Sequence, residues 1–285
     1  MIIPTLLLYL ATAATQQPER AMWVWYGDKV VENPKEESKF FQFLRAPKGN
    51  PNSKISVIWI SRCDLDRPDH FGELQKFVAD AHRRSVRVDY LCGDNSYILP
   101  DHFQDGLAQL DMLISYNRTA PPKARFDAIQ YDIEPYLMKG WPTPQMLSDY
   151  LGFYDKCNDR IRQSGQKILL GATMPRWFDL PEQHGIYKSL IDRTDYIANM
   201  DYVQTAHQFV DDAKVSVQYA AKTGKKMWLG VEVSELKDEP TATFYALGNH
   251  AIEEAFKAAN KAFQSSPGYA GVAIEHYDTY QSLRP

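Results

Sequence analysis

Two carboxylates stand two residues apart at the end of an apolar run, Asp132 and Glu134 in FDAIQYDIEPY (126–136). Side chains alternate along a strand, so Gln130, Asp132 and Glu134 share one face and Ile129, Tyr131 and Ile133 take the other. Charged groups on an interior face are costly unless they are paired or at work. A carboxylic acid beside a second carboxylate is suited to general-acid chemistry, because the neighbouring negative charge raises its pKa toward neutrality. Further acids close other apolar runs: Glu232 in LGVEV, Asp201 in NMDYV and Glu275 in AIEHY, with Asp94 just beyond another. Trp25, Tyr26, Tyr90, Tyr136, Trp141, Trp177, Tyr202 and Tyr277 lie at or near the same run ends. Sugar rings lay their C–H faces on aromatic planes while carboxylates take their hydroxyls, so this combination describes a carbohydrate cleft. The candidate catalytic residues are Glu134, Asp132 and Glu232. The candidate substrate contacts are Gln130, Asp201, Tyr202, Trp25, Tyr136, Trp177, Glu275 and Tyr277.

Such a cleft needs a frame that brings run ends together. Eight short runs rich in β-branched and aromatic residues recur along the chain: 21–27, 55–62, 86–93, 126–134, 167–175, 195–203, 226–233 and 269–277. Their near-continuous hydrophobicity is that of strands buried on both faces. Amphipathic segments fill the gaps. DHFGELQKFVADAHRRS puts Phe71, Leu74, Val78 and Ala81 on one helical face. A helix is expected from Thr143 as N-cap and Pro144 in the first turn to a stop at Gly165. FVDDAKVSVQYAAKTG and NHAIEEAFKAANKAF read as two more. About eight βα units predict a single (β/α)8 barrel, whose active sites lie at the C-terminal ends of the strands. An open doubly wound sheet usually carries a glycine-rich turn after its first strand, whereas WVWYGDKVVENP has Gly27 alone.

The 285 residues, 44% hydrophobic, suffice for one barrel domain spanning 17–285, and the formal net charge of −4 comes without a basic stripe. Nucleic acid and charge-driven membrane binding are therefore not expected as partners; a carbohydrate is. The seven histidines show neither HxH nor HExxH spacing, and no GxSxG elbow occurs. No metal or other cofactor is called for. Ile2–Leu10 is apolar but shorter than the about 20 residues a span needs, and small residues follow it. Residues 1–16 are expected to be an export signal, giving a secreted or periplasmic protein free of the membrane after cleavage. Cys63, Cys92 and Cys157 lack metal-type spacing and read as buried thiols, with a Cys63–Cys92 disulfide geometrically open. Asn117 begins a glycosylation sequon, NRT.

DAIQYDIEPY resembles the fourth-strand signature DxxDxDxE of glycoside hydrolase family 18, the chitinase-like barrels. Asp127, Asp132 and Glu134 match it, and Gln130 stands where the family has an aspartate. Met200 and Tyr202 in NMDY are similar to that family's Met-x-Tyr element. The resemblance implies that Glu134 protonates the glycosidic oxygen. Asp132 would orient a substrate N-acetyl group acting as internal nucleophile, an exception to the two-carboxylate scheme, and Tyr202 would bond its acyl oxygen. A second likeness is to the largest clan of barrel glycosidases, which place an acid/base Glu after the fourth strand, often as NEP, and a nucleophile Glu after the seventh. Glu134 in IEP and Glu232 fit that placement, implying a retaining pair. GVAIEHYDTYQSL and GVEVSE also resemble bacterial glycosidase-like barrels of unassigned activity. The departure at Gln130 leaves a catalytically silent, glycan-binding barrel open, and a hydrolase or lyase with Asp and Glu metal ligands is a further alternative.

Overall fold

The computed structural model describes residues 18–183 and 185–285; the expected export signal at 1–16 lies outside them. Eight parallel strands close in sequence order into a barrel. They are β1 (Glu19–Val24), β2 (Val57–Ile60), β3 (Arg87–Cys92), β4 (Ala128–Tyr131), β5 (Leu169–Pro175), β6 (Tyr196–Met200), β7 (Lys226–Glu232) and β8 (Tyr269–Glu275). Seven lie within the expected runs, and β1 overlaps its run but starts two residues ahead of it, at Glu19. The outer layer is α1 (Gly27–Val31), α2 (Pro34–Arg45), α3 (Phe71–Arg83), α4 (Phe103–Thr119), α5 (Pro144–Ser164), α6 (Ile186–Arg193), α7 (Ala206–Asp211), α8 (Lys214–Thr223), α9 (Asn249–Phe263) and α10 (Tyr277–Ser282). Helix α5 starts and stops as its sequence dictates: Thr143 accepts from the Met146 N–H, and Gly165 takes the left-handed conformation at φ 68°. FVDDAKVSVQYAAKTG, expected as one helix, is two. A turn at residues 212–213 separates α7 from α8, while Phe209, Ala213 and Val217 stay buried across the break and preserve the helical spacing.

Strand alternation divides the core in two. Outward side chains meet the helices in the large cluster. Inward ones form a smaller cluster of Ala21, Trp23, Val57, Trp59, Leu91, Ala128, Tyr196, Ala198, Trp228 and Ala273. Four rings plug the barrel: Trp23 meets Trp59 at 4.3 Å between centroids, and Tyr196 meets Trp228 at 5.2 Å. Room for Tyr196 comes from Gly171, where a β-carbon would lie 2.2 Å from the ring. Beneath the plug, Arg87 makes a two-point pair with the fully buried Asp89, Nε to Oδ1 at 2.9 Å and Nη2 to Oδ2 at 2.6 Å. The guanidinium stacks on both Tyr196 and Trp228, 5.0 Å from each centroid. Removing the cation would leave a carboxylate buried without its partner. Arg87→Met is expected to cost about 3–5 kcal/mol in urea unfolding, and a compensating Asp89→Leu to recover much of it. Equal stability of Arg87→Met and wild type would show the pair to be idle.

Two sequence features that could have carried a modification are structural instead. Asn117 is 2% exposed and exchanges two hydrogen bonds with the Phe126 backbone, so it joins α4 to the approach to β4 and offers no glycosylation site. All three cysteines are free and buried, and burial raises each thiol, as expected of ordinary core cysteines.

Candidate active site

β4 delivers its carboxylates where the alternation requires. Ala128 belongs to the inner cluster, so Gln130, Asp132 and Glu134 follow it on the axial side, rising from the plug to the mouth. Asp132 accepts a 2.6 Å hydrogen bond from the Thr173 hydroxyl on β5. The Glu134 backbone N–H donates to Asn95 Oδ1 at 2.6 Å, and the Tyr136 hydroxyl donates to Glu134 Oε2. Tyr136 in turn packs edge-on against Trp177, 5.0 Å between centroids, and against Phe178. Glu134 is thus fixed at its backbone, held at one oxygen and flanked by an aromatic wall.

β6, β7 and β8 complete the mouth. Tyr202 follows Ala198 and Met200 on the inward side. Burial first, and then the charges of Glu275, Glu232, Asp132 and Glu134, hold its phenol well above its usual range, so it stays a neutral donor. Glu275 accepts from the Trp25 indole N–H at 2.5 Å. Glu232 takes the N–H groups of Val233 and Ser234 on Oε1, at 2.7 and 2.6 Å. Glu134, Asp132, Glu232, Glu275, Tyr202, Trp25, Tyr136 and Trp177 therefore come together.

Three expected contacts do not. Asp201 is fully buried on the opposite side of β6 from Tyr202. Its carboxyl is raised by burial first, then by Asp212 and Asp179 against the opposing Arg176, all from the helix side. Strand alternation lets only one of two consecutive residues face the axis, and Tyr202 takes that place. Tyr277 opens α10 and fills the gap to α2, packing on Phe40 at 4.8 Å and Phe43 at 5.4 Å. Gln130 is on the axial side but fully buried below Asp132; its Oε1 lies 3.2 Å from the Tyr196 hydroxyl, out of reach of a ligand.

Other residues singled out in the sequence are structural. Asp127, first in the β4 motif, accepts from the Val88 N–H and pairs with His82 at the opposite end of the strand. Asp94 caps a turn through the Ser96 N–H. Tyr90 bonds Gln109, Trp141 packs on Tyr150, and the Tyr26 ring lies under Lys29 and Arg62. Thr173 and Asn95 were missed, since each reaches β4 from a segment about 40 residues away. For Thr173 the one available signal was its inward parity with Gly171.

On β4 the Asp132 carboxyl holds its proton unusually tightly, pushed up to about 7 by burial and then by the charge of Glu134, with the Thr173 hydroxyl opposing. An unfolded aspartate titrates near 3.9, so between about pH 4 and 7 the folded chain binds the extra proton and stability falls as pH rises. Asp132→Asn mimics the protonated form. It is expected to melt with wild type in acid and above it beyond about pH 7; coincident melts at every pH would contradict the burial of this charge.

No protein-family model matches the chain, and no curated protein matches its sequence. Solved structures do match its fold. A family 18 chitinase from Pseudoalteromonas aurantia superposes at TM-score 0.59 and 13% identity over 91% of this chain and 94% of its own. A chitinase from Ipomoea carnea gives 0.55 and 13% over 92% and 96%. A class V chitinase mutant from the plant Cycas revoluta, bound to (GlcNAc)3, gives 0.53 and 11% over 93% and 97%. The chain therefore has the single-barrel fold found in chitinases, along nearly its whole described length.

Proposed function

We propose that this protein is a glycoside hydrolase acting on an oligo- or polysaccharide of N-acetylated sugars, with Glu134 as general acid and Asp132 as its assistant. The observation that carries the reading is the inward pair at the end of β4, with Tyr202 opposite as a neutral donor. Glu134 passes a proton to the glycosidic oxygen as the bond to the anomeric carbon breaks. The acyl oxygen of the sugar's own N-acetyl group closes on that carbon, aligned by Asp132 and Tyr202. Water then opens the resulting ring, returning a proton to Glu134 and giving net retention. The raised affinity of Asp132 for a proton suits a group that bonds the acetamide and takes up charge as the ring closes. The chitinase barrels that share the fold, one of them bound to (GlcNAc)3, support a carbohydrate ligand.

The apolar N-terminal run supports work outside the cytoplasm. Among the described residues no helix is long and apolar enough to cross a membrane.

Glu232, also inward at the mouth, supports a second reading in which it is the nucleophile of a two-carboxylate retaining enzyme. A substrate panel separates the two. The proposed route releases reducing ends from N-acetylglucosamine oligomers and none from cello-oligosaccharides, which lack the acetamide. Equal release from both overturns it in favour of Glu232. Binding without release from any of the panel would leave a silent glycan binder.

A further inference from the structure

We infer that the mouth is built for a sugar chain bearing free amines, a partly N-deacetylated hexosamine polymer, with Glu232 and Glu275 as the carboxyls that receive the amine. This deepens the hydrolase reading and rests on it. That reaction employs Asp132 and Glu134 and leaves two more carboxyls at the same opening without a task.

Glu232 is more than nine-tenths buried, yet only its Oε1 is bonded, to two backbone N–H groups. Glu275 likewise has Oε1 on the Trp25 indole. Among the described residues the second oxygen of each has no hydrogen-bond partner, and neither is sealed from solvent. The four acids lie near enough that Glu232, Asp132 and Glu134 all act on Glu275, and all four act on Tyr202.

Buried carboxylates ordinarily come with a cation. Here every ion pair found among the described residues lies elsewhere, and no lysine, arginine or histidine pairs with any of the four. A ligand that supplies the positive charge completes the site. A metal ion is a poorer occupant, since no three acids, histidines or cysteines among the described residues are grouped to hold one. An amine fits better. In slightly acidic solution it arrives as an ammonium and supplies the positive charge directly, and a carboxyl that meets it releases any proton it holds to the solvent. In the proposed route the unit being cleaved keeps its N-acetyl group, which places the free amine on a neighbouring unit. The polymer is therefore mixed.

The test is calorimetric titration of the full chain carrying Glu134→Gln, in slightly acidic buffer, with chitosan oligomers and fully N-acetylated chitin oligomers of equal length. The chitosan oligomers are expected to bind about tenfold tighter or more, with the margin shrinking as salt is raised. Adding Glu275→Gln is expected to bring the ratio close to one; Glu232→Gln gives the same reading should that variant fold poorly. Equal affinities at the outset, or a ratio that survives both substitutions, overturns the inference. Sugar release by wild type is scored separately. A preserved ratio with no release from either oligomer ends the hydrolase reading but upholds the amine preference. Release without a ratio does the reverse.

Discussion

Glu134→Gln is expected to lower sugar release by about 100- to 10,000-fold, the range spanned by a positioned general acid, while oligosaccharide affinity changes little. Glutamine keeps the shape of the side chain and can still accept from Tyr136, but it has no proton to give. The leaving oxygen must then depart as an alkoxide, and the barrier rises accordingly. The proposed sugar contacts, namely the Trp25, Tyr136 and Trp177 rings and the Tyr202 hydroxyl, are untouched. The loss should therefore fall on kcat with KM nearly constant, the signature of an interaction made only in the transition state. Turnover within a few-fold of wild type would remove Glu134 from the acid role.

The second large effect separates the two carboxylate schemes. Asp132→Asn is expected to cost about 100-fold or more in kcat, because the amide cannot take up the charge that develops on the closing acetamide. It also changes the partner of Thr173, which now donates to an amide oxygen. Glu232→Gln is expected to alter affinity far more than kcat, since this side chain lies at the mouth with one oxygen already committed to the Val233 and Ser234 N–H groups. The opposite pattern, a near-normal Asp132→Asn and a dead Glu232→Gln, would mark Glu232 as a protein nucleophile. Both variants are needed, because loss in either alone is compatible with a merely crowded mouth.

The frame was legible because a closed parallel barrel buries both faces of its strands, and eight such runs, 126–134 among them, stand out against amphipathic intervals. The orientation of Asp132 and Glu134 was legible for a related reason: Ile129, Tyr131 and Ile133 are plainly the helix-facing set, which leaves the other parity for the axis. Beyond the last hydrogen-bonded residue that rule weakens. Asp201 and Tyr202 both looked available at the end of β6, and the alternation admits one. Tyr277 lies two residues past Glu275, where the chain has already turned into α10. Depth was hidden as well: Gln130 shares the face of Asp132, but the Tyr196 and Trp228 plug seals its level, and ring sizes on other strands decide that. The polar partners Thr173 and Asn95, and the Arg87–Asp89 pair under the plug, depend on which strands become neighbours. A local pattern does not carry that information. The 13% identity to the Pseudoalteromonas aurantia enzyme shows the same division, since the barrel repeats while most of its residues do not.

The most direct test is a crystal structure of the Glu134→Gln protein soaked with an N-acetylglucosamine oligomer. The sugar is predicted to lie across the barrel mouth with its scissile oxygen about 3 Å from the side-chain amide of residue 134. Its acetamide should fold back under the anomeric carbon between Asp132 and Tyr202. An oligomer bound away from the β4 end, or one whose acetamide points from Asp132 into solvent, would contradict the account.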